Sequence, residues 1–294
     1  VATMSGKRVL VTGSTGGIGK ETARGLARLG ADVILVGRNA DRAEAAAAEL
    51  RRDTGNPGVE ALIADVTRQD DLRRLAEQVR ARDGGLHVLI NNAGVAKQHR
   101  ELTADGVETA FAANVLAPFV LTHLLLPELR RAGRGRVVNI AGGVPRGRID
   151  LDNLQGEKSY VGLASYNQTK LALMAMSYAF AERLAEPGVT INVAYPGHAY
   201  TSMNQNLTTS AYPLVARPLV PLLKLLMPVL YGGAAVGRAS VSSIRLASDP
   251  GLADVHGVYF TSKARRAPWP ASVRDRHTRD AIWARCRELG QLGD

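Results

Sequence analysis

The sequence holds one cysteine in 294 residues, Cys286. A lone thiol excludes an internal disulfide framework and any multi-cysteine zinc site. Such a fold must stand on its apolar core, and at this length folding buries roughly 75% of the unfolded chain's surface. No leader is expected either. Val1 to Gly6 is short and polar, and the apolar run Val9–Val11 leads straight into glycines, unlike a secretory peptide. The most membrane-like stretch, Tyr212 to Tyr231, is broken by Arg217, Lys224 and prolines 213, 218, 221 and 228. A spanning helix wants about 20 nearly uninterrupted apolar residues. A cytoplasmic protein without a membrane span is expected, with this stretch as a lid or a surface-dipping segment. His87, His123 and His256 lack metal-ligand spacing and read as structural, so no metal is expected.

Negative charge is in short supply: 27 Asp and Glu face 37 Lys and Arg, a net charge of +10. An excess of this size suits nucleic acid, an anionic membrane or an acidic ligand. No nucleic-acid motif accompanies it, and neither nucleic acid nor a membrane span is expected. The segment Lys263–Asp294 carries eight basic and four acidic residues, hence +4 of the +10. It also holds both tryptophans, Trp269 and Trp283. Ile282, Trp283, Cys286 and Leu289 follow helical spacing, so this tail is predicted to pack as a helix rather than trail as a basic arm.

What is present is an alternation. Short apolar runs at Arg8–Thr12, Asp32–Gly37, Val59–Ala64, Leu86–Asn91, Arg136–Ala141 and Thr190–Ala194 read as strands buried on both faces. Helical stretches separate them at Ile18–Leu29, Arg42–Arg52, Gln69–Arg82, Gly106–Arg131 and Tyr160–Ala185. Further on, Ala234–Ala247 reads as helix and Gly257–Phe260 as a last strand. Strand-then-helix repetition predicts right-handed crossovers. The expected fold is a single doubly wound Rossmann-type α/β domain over residues 1–294, with a parallel seven-stranded sheet and helices on both faces. A lid insertion at about 199–231 and the helical tail at about 263–294 complete it.

The first strand ends in Thr12-Gly13-Ser14-Thr15-Gly16-Gly17-Ile18-Gly19 and opens a helix. Glycines let the backbone turn tightly there, and a helix N-terminus favours a phosphate. The second strand ends at Gly37-Arg38 without a carboxylate. An acid at that place would grip an adenosine 2′-hydroxyl, whereas arginine pairs with a 2′-phosphate, which points to NADP(H). Tyr166 and Lys170 lie four residues apart on one helix face. An ammonium beside a phenol lowers its pKa from about 10, making Tyr166 an acid–base group.

The chain resembles the short-chain dehydrogenase/reductase superfamily, and within it the retinol-dehydrogenase-like branch, from Lys7 to about Leu289. Besides the residues above, the resemblance rests on Asp65-Val66, Asn91-Asn92-Ala93-Gly94, Asn114 within Phe111–Val115, Asn153–Lys158, and Pro196-Gly197 with Thr201 four residues beyond the glycine. It implies that Gly13, Gly17 and Gly19, with Thr15 and Ile18, cradle the pyrophosphate, and that Arg38 meets the 2′-phosphate. Asp65 and Val66 would hold the adenine, and Asn92, Ala93 and Gly94 would line the cofactor groove. Lys170 would bind the nicotinamide ribose and depress the Tyr166 pKa, while Asn114 holds a water of a proton relay. Thr201 and the backbone around Gly197 and His198 would orient the carboxamide, with Pro196 also in the cofactor site. The implied reaction reduces a carbonyl or oxidises an alcohol, with Tyr166 exchanging the proton. The family also implies pairing through helices 106–131 and 160–185, hence a homodimer or homotetramer.

One hydroxyl is missing. The family usually carries a serine after the fifth strand, and here that place falls on Gly142, or on Ala141 if the loop shifts. Losing one such donor typically costs on the order of 10² to 10³ in rate. Ser165, Ser159, His198 or a water in the glycine gap are the candidate substitutes. Gly142, Gly143, His198 and Met203 are expected to face the substrate, an apolar small molecule. Arg146 and Arg148 read as solvated loop charges. The first reading is an NADP(H)-dependent oxidoreductase (a ketoreductase-like secondary-metabolite tailoring enzyme). The second is an isomerase, cyclase or epimerase that uses Tyr166 with NADP(H) held structurally. A third is a ligand-binding protein with a degraded site.

Overall fold

The computed structural model describes residues 3–184, 188–197 and 233–292. The expectations for the lid and for His198, Thr201 and Met203 fall outside them. Among the described residues eight strands form one sheet: β1 (Arg8–Thr12), β2 (Asp32–Gly37), β3 (Val59–Ile63), β4 (Val88–Asn91), β5 (Gly135–Ile140), β6 (Val189–Ala194), β7 (Tyr259–Phe260) and β8 (Arg266–Ala267). Their order is β3-β2-β1-β4-β5-β6-β7-β8. The pairings are parallel from β3 through β7, while β7 and β8 are antiparallel. The expected seven strands thus become eight. The last is a two-residue arm of a hairpin, too short to show any period in the sequence.

Alternation along each strand divides the core. Leu10, Ile34, Val36, Leu89, Val137, Ile191 and Val193 face one layer of helices, whereas Val9, Val11, Val33, Leu35, Val88, Ile90, Val138 and Ile140 face the other. Each fully buried side chain of this size contributes roughly 1.5–3 kcal/mol. The second layer is α1 (Gly17–Arg28), α2 (Ala40–Thr54), α7 (Gly233–Ala239) and α8 (Val241–Ser248). The expected helix Ala234–Ala247 is therefore two, parted at Ser240, whose amide and hydroxyl both bond Gly237 O.

The first layer holds α3 (Gln69–Arg80) and a continuous helix of three parts: α4 (Thr109–Phe111), one π turn (Ala112–Leu116) and α5 (Ala117–Arg131). It also holds α6 (Gly162–Arg183), α9 (Ala271–Arg274) and α10 (Arg276–Gly290). The expected start at Gly106 moves to Thr109 because the buried Glu108 carboxylate caps the helix, accepting from the amides of Ala110 (2.9 Å) and Phe111 (2.7 Å). Residues 109–131 are long and apolar enough to cross a membrane, yet 78% of an apolar 18-residue stretch within them is buried inside the protein.

The C-terminal helix docks as its spacing predicts. Ile282 and Cys286 are fully buried, and Trp283 meets Phe119 and Phe180 edge-on at 4.9 and 5.0 Å. Arg183 lies 4.6 Å over the Trp283 ring, and Trp269 stacks on Tyr178 at 5.2 Å. His123 sits within this aromatic cluster. His256 accepts from Ile191 N and its other nitrogen meets Ala181 O, which fixes the ring between β6 and α6.

Candidate active site

Strand order reverses between β1 and β4, so the loops leaving their carboxyl ends diverge and open a crevice. Thr12 anchors one wall. Its hydroxyl accepts from the backbone amides of Asn92 and Ala93, both at 3.0 Å, and the Asn92 side-chain Nδ2 donates to Thr12 O (2.9 Å) and Gly13 O (3.0 Å). Gly13 has φ +63°, and a Cβ there would stand 2.7 Å from Ala93 Cα. A Cβ on Gly19 would strike the Asn92 amide. The glycine loop is thereby pressed against the segment after β4. Asn92 does its work as a staple between the two loops.

Gly16 caps α1 without any side-chain hydrogen bond, and a Cβ on it would meet nothing within 4 Å. No acidic residue stands in the first turn. Free N–H groups facing open space fit a dinucleotide pyrophosphate. Thr15 packs on Gly37, beside the end of β2. Arg38 follows there, exposed and without a hydrogen bond or ion pair among the described residues. Asp65 and Val66 are half-buried after β3; the Asp65 carboxylate accepts from the amide and hydroxyl of Thr67.

Asn114 lies in the π turn, fully buried, where the regular helix ladder is interrupted. Its side chain accepts from Val95 N (2.9 Å) and donates to Val95 O (2.9 Å) and Thr169 Oγ1 (2.8 Å). These bonds tie the loop after Gly94 to α6. A Cβ on Gly94 would lie 3.0 Å from Asn114 Oδ1 and 3.1 Å from Lys170 Nζ, so the three meet at one point.

Lys170 is 4% exposed and donates to Ile140 O at 3.1 Å. Burial lowers its pKa to about 8. Tyr166 is 8% exposed, and burial pushes its phenol upward, with a smaller contribution from nearby Tyr195. The expected lowering of Tyr166 by Lys170 is thus reversed. Desolvation outweighs the cation, whose nitrogen lies 6.0 Å from the ring centre. Tyr166 is a neutral acid here.

The missing hydroxyl leaves a geometric trace. A Cβ on Gly142 would stand 2.6 Å from the Tyr166 hydroxyl. The phenol occupies the place a side chain would take, which leaves no gap there for the expected water. Nor do Ser159 and Ser165 reach it, while His198 lies outside the described residues. Ser159 accepts from Asn153 on an exposed loop, and Ser165 has no bond to Tyr166. Gly143 has φ +63°, and its carbonyl accepts from Tyr195 Oη at 3.1 Å. Val144 N donates to Asn167 Oδ1 at 3.2 Å. Arg146 and Arg148 are exposed on this loop without ion pairs among the described residues.

Thr12, Thr169, Asn167 and Tyr195 were not among the expected site residues. Thr12 lies inside the glycine motif Thr12–Gly19, whereas the other three carry no local signal. The segment Asn153–Lys158 proves to be a clamp. Gln155 accepts from Glu108 N (2.9 Å), and Tyr160 donates to the Glu108 carboxylate (3.1 Å). Pro196 and Gly197 follow β6 on the same rim, with Gly197 against Ser262. Among the described residues no cluster of His, Cys, Asp or Glu suits a metal.

The sequence profile of the short chain dehydrogenase family matches residues 7–211. Retinol dehydrogenase 13 of Homo sapiens is 35% identical over 292 residues, spanning 98% of this chain and 86% of that protein. An uncharacterised protein from Mycobacterium paratuberculosis superposes with a TM-score of 0.76 at 27% identity, covering 99% of this chain and 96% of that one. A short chain dehydrogenase from Burkholderia cenocepacia, solved in complex with NADP, gives a TM-score of 0.65 at 27% identity, covering 88% and 96%.

Proposed function

Because the chain belongs to the short chain dehydrogenase family, we propose that it is an NADP(H)-dependent oxidoreductase interconverting an apolar alcohol and its carbonyl. The observation that carries this reading is convergence. Tyr166, Lys170 and Asn114 share one rim of the sheet with the glycine loop and the uncapped N-terminus of α1. The amides around Gly13, Gly17 and Gly19 would hold the pyrophosphate, and Arg38, with no acid beside it, would meet the 2′-phosphate. The dinucleotide, when bound, supplies or accepts the electron pair of the reaction.

The rest is done by the chain. Tyr166, kept protonated by burial, gives its proton to the carbonyl oxygen in reduction and takes it back in oxidation. Lys170, charged below about pH 8, stabilises negative charge developing at that oxygen. Asn114 fixes the 94–95 loop and Thr169 behind them. An apolar substrate is supported by relatives named retinol dehydrogenases and by the apolar composition of 199–231. A homodimer or homotetramer rests on the family; α10 packs across α6, so pairing through that face would include it.

Stereospecifically deuterated NADPH tests the reading. Label is expected in the alcohol formed from retinaldehyde or a related apolar carbonyl, and Tyr166→Phe is expected to lose ~10²–10⁴-fold in rate. Absence of label from every product overturns it. The second reading, proton transfer without net redox, draws on Gly142. Residue 142 carries no hydroxyl beside Tyr166, so the family's usual aid to carbonyl polarisation is absent at that place. Turnover without cofactor consumption would establish that reading instead.

A further inference from the structure

With no side chain at 142, something else must fix the distance between the turn after β5 and the catalytic phenol. Three side chains hold this turn: Lys170 at Ile140 O (3.1 Å), Tyr195 at Gly143 O (3.1 Å) and Asn167 at Val144 N (3.2 Å). Lys170 and Asn167 belong to α6, the helix that bears Tyr166, so they tie the turn to its own partner. Tyr195 is different. It follows β6, its backbone amide is bonded to Phe260 O of β7 at 2.8 Å, and its ring packs on the core. It therefore refers the position of Gly143 to the sheet, independently of α6.

The neighbouring Ala141 N is bonded to Ala194 O at 2.9 Å, so both ends of the glycine pair are set by β6 and the residue after it. Between those two fixed points, Gly142 is pressed to where its missing Cβ would be 2.6 Å from the Tyr166 hydroxyl.

We propose that Tyr195 is a positioning residue for Tyr166: its hydroxyl holds the Gly142–Gly143 turn against the phenol, doing by a clamp from the sheet what a hydroxyl on residue 142 would do by contact. The turn can close this far only because 142 has no side chain. Glycine at 142 and the hydroxyl at 195 are consequently one device. Replacing either should change what the other is worth, whereas two unrelated structural contacts would add.

The test is a double-mutant cycle of Gly142→Ser and Tyr195→Phe on the full chain, read by thermal unfolding and by kinetics with NADPH and an apolar aldehyde. Gly142→Ser forces a Cβ into the phenol and is expected to lower Tm by ~2–5 °C. In the Tyr195→Phe background the turn can retreat, and that loss should shrink by at least half. Tyr195→Phe alone should lower kcat roughly 10–100-fold through misplacement of the phenol, with the Kd for NADPH unchanged. Gly142→Ala, which adds the Cβ alone, repeats the cycle should the serine variant fold poorly.

Additive Tm effects overturn the clamp, and a coupled Tm with unchanged kcat overturns the positioning role. The kinetic arm rests on the oxidoreductase reading, whereas the thermal arm does not. A wild-type protein inactive toward every carbonyl would sink that reading and leave the Tm coupling to decide whether Tyr195 holds the turn.

Discussion

Lys170 should cost this protein stability at neutral pH and cost it progressively less as the pH rises. Its ammonium is fully buried, with a backbone carbonyl and no carboxylate bonded to it. Its pKa accordingly falls to about 8 in the folded chain, against the ordinary lysine value of about 10.4 in the unfolded one. Below pH 8 the group is charged in both states, and the folded state bears the whole desolvation cost. Between the two values the unfolded chain binds the extra proton, so stability rises with pH through that window. At about 1.4 kcal/mol per unit, raising the pH from 7.5 to 9.5 returns about 2 kcal/mol from this residue. Above pH 10 the buried phenols act in the opposite sense. Tyr160, Tyr166 and Tyr259 all have raised values, so their unfolded forms ionise first and stability falls.

The perturbation is Lys170→Met, which keeps the length and volume and removes the charge. It forfeits one hydrogen bond to Ile140 O, worth about 1 kcal/mol, and relieves a desolvation cost of about 3 kcal/mol. The variant should therefore be about 2 kcal/mol more stable than wild type at pH 7.5 and nearly equal to it at pH 9.5. Urea unfolding at half-unit pH steps, at constant ionic strength, gives the difference directly. A variant less stable than wild type at pH 7.5, or a difference flat across the range, would refute the reasoning. The wider point is that a residue placed for chemistry is held at the expense of the fold.

Trp283→Ala should lower stability by about 3 kcal/mol, since the ring fills the contact between α10, Phe119 and Phe180. Calorimetry and faster amide exchange over Arg276–Gly290 would register it, and a Tm shift below ~1 °C would contradict it. Arg38→Asp should raise the Kd for NADPH by ~10–100-fold through loss of a charge-assisted pair, while the Kd for NADH is not weakened. Equal weakening of both, measured by nucleotide fluorescence, would place the arginine away from the 2′-phosphate. Cys286 is wholly buried and its thiol is pushed up by that burial. It should stay unreactive to a disulfide reagent in the native protein and react once in denaturant; native-state reaction at a free-thiol rate would show that α10 undocks readily.

The sequence by itself determined the elements and the glycine loop, because those depend on neighbours within a few residues. Apolar runs of Val, Ile and Leu mark β1 to β6, and the turn chemistry of Thr12–Gly19 is local. Even the docking of the tail was legible, in the spacing of Ile282, Trp283, Cys286 and Leu289. The strand β8 was not, since two residues have no period. Tertiary structure alone decided the site. Asn114 reaches Thr169 across 55 residues and Tyr195 reaches Gly143 across 52, separations at which no spacing rule applies. It also decided the protonation states: Tyr166 and Lys170 share a helix face in the sequence, but burial sets both pKa values, and burial is a property of everything packed around them. The glycine at 142 shows the division most plainly. Its identity is written in the sequence, whereas the phenol that closes over it is placed by the sheet and by α6.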